Sequence, residues 1–259
     1  MLLGLGGVSF LGFWLLSCLT GGSVPGSLGS GAAAALSVVV AGTLSWRLDP
    51  FHSSAALLAA VAQIPVVALA GVPSPFFILW VLIVFQIIDR RSPVDESGFR
   101  ALLVTALSMW LGWQFCWLIA AVASVVFFSA VLMKRPGGKY CLYGILTTAG
   151  AVYFLVADPG VWGGFTNYPY KLAMALVISV AFMGAIFRIQ KKCSPRVQEG
   201  EKPFCLGVLL AQILSLLLAL LLPLWAGVNG FHASAIFWAV LGSVSLVNGG
   251  SWVREIFSG

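Results

Sequence analysis

Long apolar segments dominate this chain and limit its fold more than any other feature. The stretch Ala101–Met133, for example, contains 33 residues without a charged side chain. Hydrophobic residues make up 60% of the chain and charged residues only 8%, against about 25% in a soluble domain. A soluble enzyme, a nucleic-acid-binding protein and a disordered chain are therefore excluded. The sequence predicts an all-α, polytopic integral membrane bundle in a bacterial inner (cytoplasmic) membrane.

Charged residues and Pro/Gly clusters divide the apolar sequence into about ten short transmembrane helices. A helix needs about 20 apolar residues, and at least about 17, to cross a bilayer. Val72-Pro73-Ser74-Pro75 predicts a tight turn, and Ala101–Met133 is expected to divide near 112–114, because one such helix would reach about 50 Å. The predicted spans are Leu2–Leu19, Gly31–Trp46, 54–71, 75–89, two within Ala101–Met133, Tyr140–Ala157, Lys171–Phe187, Cys205–Trp225 and His232–Asn248. Eight spans remain an alternative if both divided segments are single tilted or re-entrant helices.

The basic residues predict an orientation. Lys and Arg are retained in cytoplasmic loops of membrane proteins. With ten spans and a cytoplasmic N-terminus, 13 of the 14 basic residues fall on the cytoplasmic side, and only Lys171 falls outside. Both termini are therefore expected to be cytoplasmic. Because the predicted loops are too short for a folded unit, residues 1–259 are expected to form one transmembrane domain without a soluble domain.

Few polar side chains lie within the predicted spans. All eight acids fall in loops or at span ends, which argues against an ion-coupled pump. Four glutamines are candidates for a polar solute path, although interhelical hydrogen bonding, at roughly 1 kcal/mol per contact, is the favoured explanation. These glutamines are Gln63, Gln86, Gln114 and Gln212.

The remaining reactive side chains give little support for chemistry. Asp49 and His52 could form an acid/base pair beside Pro50, but polar anchoring at the membrane interface is the favoured interpretation of both histidines. The five cysteines form neither a CxxC motif nor a Cys/His ligand cluster, and their odd number indicates no disulfide framework. The sequence therefore predicts no catalytic residue, no metal site and no cofactor.

The segment 158–170 is the most distinctive predicted loop, and it is expected to face outward. It combines glycines and prolines with aromatic residues, an Asp and an Asn. Such a loop could bind a sugar, a lipid head group or a partner protein, although an aromatic belt at the membrane interface is favoured. The candidate binding residues are Asp158, Trp162, Phe165, Asn167 and Tyr168.

A basic face is predicted on the cytoplasmic side. The segment Arg188–Lys202 carries five basic residues and two acids, and Arg90, Arg91 and Arg100 add to its charge. Anionic lipid attracts such segments at about 1 kcal/mol per charge. Anionic lipid is therefore the favoured partner of this face, ahead of a cytoplasmic protein.

Residues 40–135 carry a pattern that is also found elsewhere. Trp46-Arg47 closes one span, two short spans follow, and Phe85-Gln86-Ile87-Ile88-Asp89-Arg90-Arg91 precedes Asp95 and another helical pair. This arrangement resembles the membrane part of TgpA-type bacterial transglutaminase-like proteins. The catalytic Cys-His-Asp domain of that family has no counterpart in this sequence. The resemblance therefore implies a membrane scaffold and carries over no catalytic residue.

Two classes of function fit these observations. The favoured one is a non-catalytic membrane subunit that anchors or stabilises a larger membrane complex, because no buried charge, motif or soluble domain indicates chemistry. The alternative is a transporter or permease for a small or amphipathic solute, which the span number, the short loops and the 29 glycines favour. A membrane-embedded enzyme ranks third.

Overall fold

The computed structural model describes residues 2–19, 24–88, 98–133, 138–157, 169–198 and 202–258. These residues form ten helices, and no strand occurs among them. A last helical stretch, Lys202–Ser258, is interrupted at Gly227, so residues 202–226 are α9 and residues 228–258 are α10. The earlier helices are α1 Leu2–Leu19, α2 Val24–Leu48, α3 Ser53–Ala70, α4 Pro75–Ile88, α5 Phe99–Gln114, α6 Leu118–Leu132, α7 Lys139–Ala157 and α8 Pro169–Gln198.

The all-helical fold is confirmed, and so are the two least obvious divisions of the sequence. The turn at Val72-Pro73-Ser74-Pro75 separates α3 from α4, and α5 ends at Gln114, within the region where the long apolar segment was expected to divide. Among the described residues, five helices are long and apolar enough to cross a membrane.

The reversal between α9 and α10 depends on two glycines. Gly227 has φ 56° and ψ −131°, a conformation that residues with a side chain rarely adopt. At Gly230, an added Cβ would collide with the carbonyl oxygen of Leu222. Pro223 lies one turn before the break and cannot donate a helical hydrogen bond. The chain therefore reverses with the two helices in direct backbone contact.

Contacts between helix ends give the bundle a basic end. Arg47 at the end of α2 donates from Nη1 to the carbonyl oxygen of Phe85, near the end of α4, at 2.6 Å. Gly98, just before α5, lies beside Lys139 at the start of α7, where an added Cβ would be 3.5 Å from Lys139 Cδ. Lys192, near the end of α8, lies 3.1 Å from a ring nitrogen of His52, just before α3. We call this end of the helices the basic end.

The opposite end is rich in aromatic contacts, and we call it the aromatic end. Trp117, before α6, packs at right angles against Trp225 of α9 with ring centroids 5.3 Å apart. The ring of His232 in α10 lies against Gly71, just after α3. Successive helices therefore run in alternating directions from α2 to α10.

The central helix is α4, and its position explains its composition. Nine of its 14 residues are buried. Phe77 and Phe85 contact Phe237 of α10, and Trp80 Nε1 donates to Ser108 Oγ of α5 at 2.7 Å. At about 21 Å, α4 is shorter than a hydrocarbon core of about 30 Å. Its apolar residues occupy every face because protein surrounds it on most sides.

Two helices are longer than the sequence predicted. The second span was expected to begin at Gly31, but α2 begins at Val24. An added Cβ at Gly31 would lie 3.0 Å from the carbonyl oxygen of Phe10, so this glycine-rich sequence serves close helix packing rather than a loop. The polar loop expected from Arg188 onward is also wrong, because α8 continues to Gln198. Lys, Arg and Gln are good helix formers, and several of these side chains find partners on neighbouring helices.

Candidate functional site

A cluster of polar side chains joins four elements at the basic end. We call it the Asp49 cluster: Asp49, His52, Lys192 and Asn248. Asp49 directly follows α2, His52 precedes α3, Lys192 belongs to α8 and Asn248 to α10. The cluster therefore connects parts of the chain that are up to 199 residues apart.

Asp49 lies at the centre of this cluster and is 0% exposed. Its Oδ1 accepts a hydrogen bond from the backbone N–H of Phe51 at 3.2 Å, which closes a local Asp–Pro turn. Its Oδ2 accepts one from Asn248 Nδ2 at 2.7 Å and lies 2.8 Å from His52 Nδ1. Both carboxylate oxygens therefore have donors, as a buried acid requires.

His52 lies between the carboxylate of Asp49 and the ammonium group of Lys192. Its Nε2 is 3.1 Å from Lys192 Nζ. An ammonium group offers only donors, so Nε2 accepts this hydrogen bond and Nδ1 carries the ring proton toward Asp49. The side chain of His52 is 20% exposed, and Lys192 is exposed. The chain of contacts thus runs from the surface to a fully buried carboxylate.

A second set of polar contacts continues the cluster along α8. Gln212 of α9 is buried and donates from Nε2 to the carbonyl oxygen of Leu48 at 2.8 Å. This carbonyl belongs to the last turn of α2, where helical partners run out. Gln212 Oε1 accepts from Gln190 Nε2 at 3.2 Å, and Arg188 donates to the backbone carbonyl of Asn248 at 2.7 Å. Three side chains of α8 therefore fasten its end to the neighbouring helices.

The cluster links the end of α2 to α8 and α10. Asp49 orients the His52 ring by bonding one of its nitrogens, as the carboxylate of an acid/base pair does. The other nitrogen faces an ammonium group rather than a hydroxyl or thiol nucleophile. Asp49 and His52 are thus brought together as the sequence suggested, and the contacts engage both residues within the chain. The acid/base and the anchoring interpretations of these residues both stay predictions.

The four candidate glutamines occupy different levels of the bundle. Gln63 lies at the middle of α3 and Gln114 ends α5 at the aromatic end, where it is exposed. Gln86, close to the end of α4, lines a groove beside Arg47. Gln212 belongs to the contacts around Leu48. The candidate polar path through these four residues stays a prediction.

Gln63 differs from the other three glutamines. It is 0% exposed, and neither its amide nitrogen nor its amide oxygen has a hydrogen-bond partner. Pro65 follows two positions later inside α3 and offers no N–H to the carbonyl of Val61, one turn earlier. The middle of α3 therefore combines an unpaired amide with an interrupted helical hydrogen-bond pattern.

The predicted outward loop cannot be placed in the same way. Asp158, Trp162, Phe165, Asn167 and Tyr168 all lie outside the described residues.

Sequence reasoning missed four members of the contacts at the basic end. Asn248 was expected only to end the last span, and Arg188, Gln190 and Lys192 were placed in a loop. The available signal was the series Arg188, Gln190 and Lys192, whose polar side chains continue a helical sequence. Their partners on α3, α9 and α10 are distant in sequence, so no local pattern marks them.

Comparisons with known proteins give no family for this chain. No protein-family model matches it, and neither curated proteins nor solved structures provide a match. The resemblance of residues 40–135 to TgpA-type proteins therefore stays a prediction.

Proposed function

We propose that this chain is a multi-spanning membrane protein whose basic end faces the cytoplasm, and that it is a non-catalytic subunit of a larger membrane complex. The basic end gathers Arg47, Lys139, Arg188 and Lys192, which is the distribution expected of a cytoplasmic side. A bacterial inner membrane suits this arrangement.

The observation that carries the subunit role is the setting of α8. This helix has 30 residues, or about 45 Å. Among the helices that the structure describes, it packs only against α9 and α10. Only 33% of its apolar span is buried, a low value shared with α7 at 28%, against 61% for α10. Polar contacts fasten the helix at the basic end, while Val177, Val180 and Phe187 point outward. The bundle thus holds in place a long apolar helix face that a second membrane protein can cover.

Site-directed photo-crosslinking tests this role in native membranes. A photoreactive residue at Val180, which is 72% exposed, should yield a discrete cross-linked species of higher mass. The same residue at Phe182, two positions away and buried, should yield cross-links only within the chain. A protein that stays monomeric in native extracts and forms no intermolecular product at Val180 contradicts the subunit role.

Cysteine labelling tests the orientation. Cys193 is unsuited to this purpose, because it is buried and its carbonyl accepts a contact from Cys205 Sγ at 3.6 Å. Cys141, near the start of α7 at the basic end, is exposed. As the only cysteine, it should react with an impermeant maleimide only after the cells are permeabilised. A Trp113→Cys control at the aromatic end should react in intact cells, and the reverse pattern contradicts the proposed orientation.

One observation favours transport as a second candidate. The unpaired amide of Gln63 lies midway along α3, and unpaired polar groups at membrane depth are found mainly where a substrate or ion passes. Flux into liposomes by the wild type and by Gln63→Leu tests this candidate. Loss of flux in Gln63→Leu, with flux retained in Gln114→Leu, would support transport. A purified protein that moves no solute of any tested class would contradict it.

A further inference from the structure

Helix α5 is short, and one of its faces lies at the surface of the bundle. The helix has 16 residues, and its exposed side chains recur three or four positions apart, as those on one helix face do. In a membrane this face meets lipid. The exposed residues along it are Phe99, Leu102, Ala106, Trp110 and Trp113.

Polar residues bound this apolar face at both ends. Arg100 lies in the first turn of α5 at the basic end, and Gln114 ends the helix with an exposed amide. The two residues are 14 positions apart, or about 21 Å along the helix. Trp113, beside Gln114, is 69% exposed, as tryptophans at a membrane–water interface often are. The face is therefore about 9 Å shorter than a hydrocarbon core of about 30 Å, and helix tilt would only shorten it further.

The neighbouring helix α7 extends only a little further. It runs beside α5 in the same direction, because Gly98 lies beside Lys139 and the ring of Trp113 packs against Phe154 with centroids 6.3 Å apart. Helix α7 ends at Ala157, three positions beyond Phe154, or about 4.5 Å. The side of the bundle formed by α5 is therefore low at the aromatic end.

The exposed face of α8 is longer. Lys171, near the start of this helix, and Lys191, at the basic end, are 20 positions apart, or about 30 Å, which matches a hydrocarbon core. Arg188 lies between them, but it donates to a backbone carbonyl of α10 and belongs to the contacts at the basic end. Val177 is 69% exposed and lies 14 positions before Lys191. Val177 is therefore as far from the basic residue of its helix as Gln114 is in α5.

We propose that the bilayer is thinned beside α5, so that phospholipid headgroups at the aromatic end lie about 9 Å deeper there than beside α8. A bilayer adapts to a short apolar face by thinning, since polar groups such as the Gln114 amide are costly to bury in hydrocarbon. At the same height, headgroups contact Trp113 and acyl chains contact Val177. The inference rests on the membrane insertion proposed above, and it does not depend on the subunit role.

Electron paramagnetic resonance of nitroxide labels tests the thinning. The full chain without its native cysteines is reconstituted alone in dioleoyl phosphatidylcholine vesicles, so that α8 faces lipid. Trp113→Cys and Val177→Cys carry the label at equally exposed positions of similar height. Collisions with a water-soluble nickel chelate should be severalfold more frequent at Trp113→Cys, and collisions with oxygen should be more frequent at Val177→Cys. Ala106→Cys, midway along α5, should behave like Val177→Cys.

These labels separate the thinning from the membrane insertion on which it rests. Equal nickel collisions at Trp113→Cys and Val177→Cys, with few at Ala106→Cys, would overturn the thinning and leave the insertion standing. Frequent nickel collisions at Ala106→Cys would overturn the insertion of α5, and the thinning with it.

A change of lipid provides a second measurement on the same labelled proteins. In dimyristoyl phosphatidylcholine, whose hydrocarbon core is thinner, nickel collisions at Val177→Cys should rise while those at Trp113→Cys change little. The difference between the two positions should therefore shrink. A difference that is the same in both lipids would overturn the proposal, because bilayer thickness would then not be its cause. Thermal unfolding of each labelled protein confirms that it is folded.

Discussion

The basic end and the centre of the bundle each contain a fully buried glutamine, and the two are treated in opposite ways. Gln212 donates to the carbonyl oxygen of Leu48 and accepts from Gln190. Gln63 is equally buried, but both of its amide atoms lack partners. The same residue type is therefore expected to stabilise the basic end and to destabilise the middle of α3.

A buried polar group stabilises this protein where unpaired backbone groups are available to bond it. At the basic end, helix termini leave carbonyl oxygens without helical partners, so buried donors such as Gln212 find acceptors there. In the middle of α3, the neighbouring backbone groups are largely engaged in the helix, and a buried amide gains little. An unpaired buried amide costs about 1–3 kcal/mol, so the stabilities of single variants can test this contrast.

The largest effect is expected at the centre of the Asp49 cluster. Asp49→Ala leaves the donors of Asn248 and His52 unpaired and opens the turn at Phe51, so the free energy of unfolding should fall by about 3 kcal/mol. Asp49→Asn keeps the shape and one acceptor oxygen, and it should lose less. Denaturant titration in detergent measures both. An unchanged stability in Asp49→Ala would mean that the cluster does not clamp the helices.

Gln212→Leu should lower the free energy of unfolding by about 2 kcal/mol. The substitution keeps the volume but leaves the carbonyl oxygen of Leu48 and the amide of Gln190 without this partner, and an unsatisfied buried group costs about 1–3 kcal/mol. The same denaturant titration measures the change. Stability equal to that of the wild type would mean that Gln212 at the basic end contributes no more than the unpaired Gln63 in the middle of α3.

Gln63→Leu should change stability in the opposite direction. It removes an amide that has no partner and should raise the free energy of unfolding by about 1 kcal/mol, since apolar replacement of unpaired polar groups relieves their desolvation cost. The increase would appear as a higher unfolding midpoint in the same detergent. A clear decrease would show that the Gln63 amide does have a partner in the folded protein.

The smallest effect is expected at the outer edge of the cluster. Lys192 is exposed, and surface contacts of this kind contribute about 0–1 kcal/mol. Lys192→Gln should therefore change the free energy of unfolding by less than about 0.5 kcal/mol, and the change should shrink as salt is raised. A loss of unfolding free energy as large as that of Asp49→Ala would mean that the exposed contact of Lys192, rather than the buried carboxylate, supplies most of the stability of the cluster.

The helix pattern was largely readable from the sequence because apolar length and Pro/Gly punctuation are local properties. Pro73 and Pro75 mark the turn between α3 and α4, and Gly112 lies close to the division before α6. The limits of α2 and α8 were misjudged for the same local reason. Glycine-rich and charged sequences read as loops, whereas here they pack against α1 or bind neighbouring helices.

The sequence also predicted some features of the candidate sites and missed others. The proximity of Asp49 and His52 followed from their spacing, and the polar character of Gln212 was visible as well. Complete burial of Asp49 was not, since an acid at the end of a span normally meets water. Asn248, which α10 brings next to α2, adds a long-range donor to the local ones from Phe51 and His52, and together they make that burial tolerable.

The helical, apolar character of this chain and its division into about ten short segments were predictable, because those properties depend on residue type and on spacing along the chain. Which polar groups bond to each other depends on how the helices pack. Hydrogen bonds between Asp49 and Asn248, Gln212 and Leu48, and His52 and Lys192 join residues 140 or more positions apart. No local signal encodes such pairs, since they form only when the chain reverses at Gly227 and the helices pack so that the ends of α2, α8 and α10 meet the starts of α3 and α9.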